Sequence, residues 1–372
     1  MLRVLLAVTN DVATDNRLHK IANTLIDNGY TVMVAGRLLP GSPSVANRAY
    51  QVQRFKLWFR KGPLFYLSYN LILFLFLIRK KFQIIVANDL DTLVACYLAS
   101  KFRKVPLVYD SHEYFTGVPE LVDRPFVRSI WKFAEKKIVP HVKYAYTVSE
   151  LIANQYKDEY SIDFEVIKNA SMFRYNDEFE HTVSRVNKKI ILYQGVLNKG
   201  RGLEMMIEAM RYLDNYMLKI IGVGDIEKDL RKLVNYYGLA ARVEFIGRIP
   251  YNELWPYTHT ADLGFSLEED MGMNYRFALP NKLFDYIQAR LPVLVSDLPE
   301  MKKIIDKYDI GEIVVNREPK LIAEQVKRMM EDEKSYHNWK INLELAAREL
   351  CWQREEEKLL TLYRRSLKEA VC

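Results

Sequence analysis

The sequence is poor in cysteine. Its 372 residues include three cysteines, Cys96, Cys351 and Cys372, which lie far apart along the chain. An odd number of widely spaced cysteines without a C-x-x-C pair indicates neither a disulfide framework nor a zinc site. The cysteine content therefore favours a reducing compartment, and we expect the protein to be cytoplasmic.

Long apolar runs are also missing. The most apolar window, Leu64–Ile78, has 15 residues and is interrupted by Ser68 and Asn70. A helix needs roughly 20 apolar residues to cross a bilayer, so this window is too short to span one. Residues 2–9 are apolar, but the polar residues 10–17 follow at once. This order indicates a first strand and a loop rather than a secretory signal.

What the sequence does have is the composition of a globular protein, with 49% apolar and 27% charged residues. Its length fits two domains better than one. The net charge of +7 is compatible with three kinds of polyanionic partner, namely nucleic acid, anionic lipid and phosphorylated substrates. Since many proteins are mildly basic, the charge alone does not choose among them.

Apolar runs alternate with stretches of helical periodicity along the first half of the chain. Runs rich in β-branched residues and separated by helices are typical of a parallel sheet covered on both faces. The predicted strands are Val4–Val8, Thr31–Ala35, Ile84–Ala87, Leu107–Tyr109 and Tyr144–Val148, and the predicted helices include Arg17–Asn28, Leu90–Lys101 and Val127–Val139.

The same alternation restarts after a polar, irregular stretch. Two such arrays predict an α/β protein with two doubly wound sheets and a cleft between them. We expect an N-terminal domain over residues 1–170, a linker over 171–187, a second domain over 188–350 and a C-terminal helix over 351–372. The predicted strands of the second domain are Ile190–Gln194, Leu218–Gly222, Val243–Ile246, Leu263–Ser266, Val293–Ser296 and Glu312–Val315.

The segment Leu279–Ser296 predicts a loop, a helix, a turn and a strand. Pro280 suits the first helical position, which leaves the backbone N–H groups of Asn281–Leu283 at the positive end of the helix dipole. Such a helix start can bind a diphosphate, and Lys282 adds a positive charge. Asp285, one turn later, can accept hydrogen bonds from a ribose diol. A plain helix with an exposed lysine is the alternative.

A glycine-rich turn follows the first strand of the second domain, over Tyr193–Glu204. Its glycines allow a ligand to approach the backbone closely, while Lys199 and Arg201 supply cations for phosphate oxygens. A weaker turn, with Gly222 and Gly224, can cradle a nucleotide base or cap a helix. Glycines in such turns also serve packing alone. The glycines of the first turn are Gly195, Gly200 and Gly202.

Polar side chains follow one strand of the first domain. Asp110, His112 and Glu113 come directly after the predicted strand that ends at Tyr109. Ligands of doubly wound sheets bind outside the carboxyl ends of the strands, so these side chains are candidates for a site in the cleft. A structural polar network is the alternative.

Two further loops of the first domain carry polar side chains at strand ends. Asp15 and Arg17 follow the first strand, and Arg17 can reach either a phosphate or an acidic neighbour. The segment Asn88–Asp91 follows the third predicted strand, and there we expect a helix cap.

The window Arg54–Lys81 contains seven Lys or Arg residues, eight aromatic residues and no Asp or Glu. Aromatic rings with basic flanks are typical of a surface that lies against anionic lipid headgroups. A buried helix with solvated basic ends fits the window equally well. Nucleic acid is not predicted as a partner, because no nucleic-acid-binding module accompanies the window.

With these segments in view, the sequence resembles the GT-B glycosyltransferases, specifically glycosyltransferase family 4. It is most similar to the branch with an LPNK-type motif followed by FEY. The segments that carry the resemblance are YQGVLNKGRGLE (193–204), VEFIGRIPYNELWPY (243–257) and ALPNKLFDYIQARLPVL (278–294), with YDSHE (109–113), TVSE (147–150) and VIKNA (166–170) in support.

The resemblance implies two facing Rossmann-like domains, with the C-terminal helix packed back toward the N-terminal domain. It implies retaining transfer of a sugar from a nucleoside diphosphate sugar, with either UDP or GDP, to a saccharide or a lipid-linked saccharide of the cell surface. The second domain is expected to hold the donor and the first to hold the acceptor. No further cofactor and no metal are expected, since cationic side chains can stabilise the diphosphate in place of a metal.

The resemblance also assigns residues. Arg201 takes the place of the family's diphosphate-binding lysine, whereas Val196 stands where the family usually has an arginine. Lys282 is expected to compensate for that missing cation. His112 corresponds to the family's histidine near the donor sugar, so we expect His112, Arg201 and Lys282 to serve catalysis.

The family's E-x7-E motif is altered. Asp285 stands in place of the second glutamate, which holds the ribose, and Phe277 in place of the first, which contacts the sugar. We therefore expect Glu268, Glu269 or Asn274 to contact the sugar. The altered positions leave two alternatives open, a GT-B sugar-nucleotide epimerase and an inactive family member that acts as a membrane-associated assembly partner. The expected location is the inner face of a membrane.

Overall fold

The computed structural model describes residues 2–118, 121, 123–175 and 188–368. The chain forms two units, one of Met1–Asn169 with Glu355–Cys372 and the other of Ala170–Arg354. Below they are called unit 1 and unit 2. Most of the expected linker, residues 176–187, lies outside the described residues.

Unit 1 contains a seven-stranded sheet in which all paired strands are parallel. The strand order is β3-β2-β1-β4-β5-β6-β7, so the chain reverses direction across the sheet between β1 and β4. The strands are β1 (Arg3–Asp11), β2 (Thr31–Arg37), β3 (Gln51–Phe55), β4 (Ile84–Asn88), β5 (Leu107–Ser111), β6 (Tyr144–Thr147) and β7 (Glu165–Val166).

Helices connect most of these parallel strands. They are α1 (Asn16–Asp27), α2 (Pro63–Arg79), α3 (Leu90–Arg103), α4 (Pro125–Ile138) and α5 (Glu150–Tyr160). Two of them begin at capping side chains: Asp15 accepts a hydrogen bond from the Leu18 N–H, and Ser149 accepts one from the Ile152 N–H. Such caps satisfy backbone donors that the first helical turn leaves unpaired.

Unit 2 contains a six-stranded sheet, also parallel, with the order β10-β9-β8-β11-β12-β13. Its strands are β8 (Lys189–Gln194), β9 (Tyr216–Ile221), β10 (Val243–Gly247), β11 (Leu263–Ser266), β12 (Val293–Ser296) and β13 (Gly311–Val314). Its helices are α6 (Leu203–Ala209), α7 (Glu227–Tyr236), α8 (Trp255–His259), α9 (Met273–Arg276), α10 (Asn281–Gln288), α11 (Pro299–Tyr308), α12 (Pro319–Glu331) and α13 (Glu333–Glu349).

Both faces of the unit 2 sheet are buried. Along β8, Ile191 and Tyr193 pack into one hydrophobic core, while Ile190 and Leu192 pack into another. Successive side chains of a strand point to opposite faces, so a sheet covered on both sides requires continuous apolar strands. This requirement explains the unbroken apolar runs of the sequence and confirms the predicted α/β fold.

The last helix, α14 (Trp352–Lys368), contributes its residues from Glu355 onward to unit 1. There the Thr24 hydroxyl donates to the Glu356 carboxylate at 3.0 Å, and the Lys168 N–H donates to the Glu355 carboxylate at 3.0 Å. The predicted C-terminal helix is therefore present, and it packs on the N-terminal part of the chain.

Two strands escaped the sequence analysis. Strand β3 has the polar sequence QVQRF and lies at the edge of its sheet, where only one side of the strand is paired. Strand β7 has two residues. Neither offers an apolar run long enough for recognition from sequence.

Helix α2 has one buried face and one exposed face. Phe65, Tyr69, Leu73 and Leu77 form a buried stripe at a spacing of four residues. The opposite face carries the exposed side chains Leu64, Leu67 and Leu71. The helix is thus buried along one face and apolar toward solvent along the other. No helix among the described residues is long and apolar enough to cross a membrane.

Candidate active site

The candidate site of unit 2 lies at the carboxyl edge of its sheet. Strands β9 and β10 lie on one side of β8 and strand β11 on the other, so the chain reverses direction between β8 and β11. In doubly wound sheets, a ligand crevice forms at such a reversal. The loop after β8 carries Arg201, the loop after β11 carries Glu268, and helix α10 carries Lys282.

These three side chains form one ionic cluster. Lys282 Nζ donates to Glu268 Oε1 at 2.6 Å, and the Ser266 hydroxyl donates to Glu268 Oε2 at 2.7 Å. An Arg201 guanidinium nitrogen lies 3.6 Å from Glu268 Oε1. The Lys282 side chain is 7% exposed and that of Glu268 is fully buried, whereas Arg201 is 30% exposed. Arg201 is therefore the cation of this cluster that a ligand reaches most easily.

The cluster shifts the titration of its members. Burial opposes ionisation of Glu268, but the charges of Lys282 and Arg201 outweigh it and lower the Glu268 pKa. Burial, together with the charge of Arg201, lowers the pKa of Lys282, although Glu268 opposes this shift. Glu268 is thus held as a carboxylate. Lys282 thus brings its positive charge together with an ionic partner, Glu268, and the alternative of an exposed lysine is wrong, because its side chain is 7% exposed.

A further cation, Arg317, was missed in the sequence. Its guanidinium donates to the Leu267 carbonyl at 2.8 Å and to the Ser296 hydroxyl at 3.0 Å. Arg317 follows β13 by three residues, so the same rule about carboxyl strand ends would have found it. It supports the loop that carries Glu268.

The start of α10 differs in two details from the prediction. The helix begins at Asn281, and Pro280 precedes it as the capping residue. The Leu283 N–H donates to the Pro280 carbonyl at 3.0 Å. Leu283 is therefore not a free donor for a phosphate, and the helix start offers fewer N–H groups than the sequence suggested.

Asp285 is held by three side chains that the sequence analysis did not select. Ser171 and Tyr251 donate to its Oδ1 at 2.5 Å and 3.0 Å, and Gln194 donates to its Oδ2 at 2.8 Å. Gln194 is itself fixed, because it accepts a hydrogen bond from Thr258 at 2.8 Å. These contacts orient the carboxylate that we expect to meet the ribose.

The glycines of the two turns bring backbone segments together. A Cβ atom at Gly222 would lie 1.8 Å from the Gly195 carbonyl oxygen, and one at Gly224 would lie 2.3 Å from the Leu197 carbonyl oxygen. Both contacts are too short for any side chain. Packing of one turn against the other therefore accounts for Gly222 and Gly224 without a ligand.

The segment between β11 and α10 carries the altered sugar position. Asn274 is half-buried in the short helix α9, and half-buried Phe277 directly follows that helix. Between them, the Tyr275 hydroxyl donates to the Lys199 carbonyl at 3.1 Å, and the Arg201 guanidinium lies 5.1 Å from the Tyr275 ring centre. Tyr275 thus ties this segment to the glycine-rich turn after β8.

At the carboxyl edge of the unit 1 sheet, Arg17 meets an acidic neighbour. Its guanidinium donates to the two Asp110 carboxylate oxygens at 2.5 Å and 3.3 Å, and the Tyr146 hydroxyl donates to Asp110 at 2.9 Å. Asp110 is fully buried. Asp15, a predicted cleft residue, caps α1 instead. Arg17 and Asp110 therefore form a structural ion pair, the alternative named in the sequence analysis.

His112 also has an acidic partner. Its Nε2 lies 2.9 Å from an Asp89 carboxylate oxygen, and its backbone N–H donates to the other oxygen at 3.2 Å. Burial opposes protonation, but the charge of Asp89 outweighs it and raises the His112 pKa to about 10. Asp89 precedes α3, yet its side chain makes no capping hydrogen bond. The prediction of a helix cap is therefore wrong for the Asp89 side chain, which binds His112 instead of the backbone N–H groups of α3.

Two further carboxylates lie near His112. Glu113 is half-buried, and its carbonyl accepts a hydrogen bond from Ser111 at 2.9 Å. Asp91 is buried on α3 and accepts a hydrogen bond from Thr9. Burial, followed by the charge of Asp89, raises the Asp91 pKa to about 7. Asp91 is thus the carboxyl group of this edge that titrates near neutral pH.

We expect Asp91→Asn to change the pH dependence of stability. A carboxyl group whose pKa is raised on folding, from 3.8 to about 7, costs stability progressively as pH rises between those values. The asparagine variant lacks this cost, so its free energy of unfolding relative to wild type should rise by about 2–4 kcal/mol from pH 4 to pH 8. Urea unfolding across this range measures it. Asp163→Asn, at a side chain 82% exposed, is the control, and equal pH profiles for both variants would contradict the prediction.

Comparisons with known proteins bear on both units. Residues 15–170 match the family model Glycosyltransferase Family 4, and residues 175–345 match the model Glycosyl transferases group 1. No curated protein sequence matches the chain. The two models together cover most of the chain, one in each half.

Solved structures have the same fold. Sucrose-phosphate synthase (tll1590) from Thermosynechococcus elongatus aligns with a TM-score of 0.79 and 15% identity, over 98% of this chain and 99% of that one. Anabaena Alr3699/HepE in complex with UDP and glucose aligns with a TM-score of 0.76 and 14% identity, over 98% and 100%. WaaG, a glycosyltransferase involved in lipopolysaccharide biosynthesis, aligns with a TM-score of 0.71 and 14% identity, over 96% and 98%.

Proposed function

The chain belongs to the GT-B glycosyltransferases, with a family 4 domain followed by a group 1 domain, and we propose that it transfers a sugar, with retention, from a nucleoside diphosphate sugar to a saccharide or lipid-linked saccharide. The observation that carries this proposal is the cluster of Arg201, Lys282 and Glu268 where the unit 2 sheet reverses direction. The branch of the family stays a prediction.

The diphosphate is the leaving group of such a transfer and gains negative charge as the glycosidic bond breaks. Arg201 is partly exposed, and its Nε is buried without a hydrogen-bond partner among the described residues. An anion beside this guanidinium would gain charge-assisted hydrogen bonds. Lys282 and the start of α10 add positive potential at the same edge. We propose that these groups stabilise the diphosphate in place of a metal.

Sugar recognition must differ from that of relatives with a glutamate at the position of Phe277. The Glu268 side chain is fully buried, and its two oxygens accept hydrogen bonds from Lys282 and Ser266, whereas Asp285 is half-buried. We therefore propose Glu269 and Asn274, which flank this loop, as the groups that contact the sugar. A catalytic role for His112 of unit 1 is also proposed, and its pairing with Asp89 holds the imidazole in its charged form.

The acceptor is proposed to bind at unit 1, with the enzyme at the cytoplasmic face of a membrane. The exposed apolar face of α2 and the basic residues that flank this helix suit an anionic lipid surface. WaaG, a structural neighbour, is involved in lipopolysaccharide biosynthesis. These observations favour a lipid-linked acceptor over a free saccharide.

Donor binding is tested by thermal unfolding with UDP-glucose, GDP-mannose and related nucleotide sugars. A ligand that binds the folded state alone stabilises it, by about 2.7 kcal/mol at a concentration of 100 times its Kd. We expect one nucleotide series to raise the unfolding temperature and the others to leave it unchanged. If none raised it, the enzymatic proposal would be rejected.

We expect Asp285→Ala to weaken binding of the stabilising nucleotide by about 10–100-fold. The variant removes the acceptor for the ribose hydroxyls, and lost hydrogen bonds to a charged group cost about 1.5–3 kcal/mol. Isothermal titration calorimetry measures the change. Ser171→Ala removes one donor to Asp285 but keeps the carboxylate, so it should bind nearly as wild type does. Unchanged binding by the Asp285 variant would refute the ribose assignment.

A further inference from the structure

A basic cavity lies in unit 1, apart from the polar residues described above. It is at the carboxyl ends of β2 and β3, where the chain enters α2. Its walls combine three cations with apolar side chains, chiefly Arg37, Lys56, Arg60, Leu38, Phe59 and Phe65. None of the described residues that line it is Asp or Glu.

Among the described residues, the cations of this cavity have no ionic partner: no carboxylate there forms a salt bridge with Arg37, Lys56 or Arg60. The Arg37 guanidinium lies 5.0 Å from the Phe65 ring centre and donates to the Arg60 carbonyl at 3.5 Å, while its Nε is buried without a hydrogen-bond partner. A buried donor without a partner costs about 1–3 kcal/mol, and a bound anion would remove this cost. The cavity therefore favours an anionic group.

An apolar surface begins beside the cavity. Leu64, Leu67 and Leu71 are 53%, 68% and 57% exposed and follow one another along one face of α2. Leu64 is the neighbour of Phe65, which lines the cavity. Trp58, in the loop before α2, is 97% exposed. Leu38 and Phe59, which line the cavity, are themselves 39% and 47% exposed. Exposed apolar surface of this extent marks an interaction site, and Phe65 places part of the cavity wall on the same helix.

We propose that this cavity binds the phosphate of a lipid phosphate and that the apolar chain of the lipid lies along the exposed face of α2. The inference rests on the proposed function, because it names the lipid anchor of the acceptor. A small anion would not use the apolar face, whereas a bilayer would not need the partly buried guanidinium of Arg37. A phosphate on a single apolar chain uses both features.

Calorimetric titration of the full chain with three probes tests the ligand class. Dodecyl phosphate carries both chemical groups, inorganic phosphate lacks the chain, and dodecyl maltoside lacks the phosphate. Burial of methylene groups contributes about 0.8 kcal/mol each, so dodecyl phosphate should bind at least about tenfold more tightly than either control probe. Equal affinity for dodecyl phosphate and inorganic phosphate would overturn the lipid assignment.

Variants locate the site. Arg37→Gln and Arg60→Gln should each weaken dodecyl phosphate binding by about tenfold, since each removes a charge-assisted hydrogen bond. Arg3→Gln is the matched control: it removes the same charge from an exposed residue of unit 1, at the start of β1, and should leave binding unchanged. Arg60 is exposed, so its variant does not endanger folding. Equal losses in all three variants would show diffuse surface charge and overturn the proposal.

Vesicles of phosphatidylcholine distinguish an acceptor from an ordinary membrane lipid. With undecaprenyl phosphate in the vesicles, Arg37→Gln should reduce sedimentation of the protein; with phosphatidylglycerol, wild type and variant should sediment alike. An equal loss on both vesicles would assign the cavity to phospholipid headgroups and overturn the acceptor claim.

The nucleotide experiment separates this proposal from the proposed function. Stabilisation by a nucleotide sugar without dodecyl phosphate binding would leave the proposed transferase activity standing and reject the lipid phosphate site alone.

Discussion

Replacement of Lys282 by alanine should lower the free energy of unfolding by about 3–5 kcal/mol. Its Nζ lies 2.6 Å from Glu268 Oε1, and both side chains are buried. The variant leaves the Glu268 carboxylate in the interior with the Ser266 hydroxyl at 2.7 Å and Arg201 at 3.6 Å. An incompletely compensated buried charge costs far more than the ion pair contributes, so the loss should exceed that of any surface ion pair.

A double variant distinguishes the cost of leaving the Glu268 charge unpaired from the cost of removing the volume of the Lys282 side chain. Lys282→Met combined with Glu268→Leu removes both charges, and it should destabilise the protein less than Lys282→Ala does. Lys302→Ala, which breaks the exposed pair of Lys302 with Asp297 at 3.2 Å, should cost about 0–1 kcal/mol. Urea unfolding of the variants gives these values. A double variant less stable than the single one would contradict the buried-charge explanation.

The Lys282–Glu268 pair also predicts that the protein loses stability at acid pH. Because the pKa of Glu268 in the folded state lies below its ordinary value, its carboxylate contributes stability above the ordinary pKa. That contribution is lost as pH falls through the lowered pKa. The stability of the wild type relative to that of the double variant should therefore decrease as pH falls through this range.

Arg201→Ala should reduce the rate of sugar transfer by about 100–1000-fold, with little change in stability. The loss corresponds to removal of one preorganised donor to a charge that develops in the transition state. Arg201 is 30% exposed and lies farther from Glu268 than Lys282 does, so its removal leaves the Lys282–Glu268 pair intact. Although both cations lie beside Glu268, removal of Lys282 is thus expected to lower mainly the stability, and removal of Arg201 mainly the rate of transfer.

The rate of nucleoside diphosphate release from the stabilising nucleotide sugar measures this effect. Arg231→Ala is the control, since Arg231 forms an exposed helical pair with Glu227 in the same unit. A variant that raises KM but keeps kcat would show that Arg201 binds ground state and transition state equally. That outcome would contradict its proposed contribution to the leaving group.

Most strands were recognisable from local apolar runs. The predicted strands Leu263–Ser266 and Val293–Ser296 match the observed bounds, because both lie inside the sheet with both faces buried. Strand β3 was missed, because an edge strand can keep polar residues and still pair through its backbone. The strength of the sequence signal follows the burial of each strand.

The candidate site was predicted only in part. Arg201, Lys282 and Asp285 stand out because they follow strand ends or open a helix. Their partners do not stand out: Glu268 lies 14 residues before Lys282, and Ser171 lies 114 residues before Asp285. Hydrogen bonds over such separations depend on how the strands are ordered in the sheet.

The sequence by itself determined the two α/β arrays and the strand ends that carry polar residues, since both follow from local periodicity and residue type. Only the tertiary structure decided which charges are paired. It buried Lys282 against Glu268, held His112 against Asp89, and left Arg37 without an ionic partner among the described residues. The physical reason is that desolvation and pairing depend on neighbours from distant strands, which no local pattern encodes.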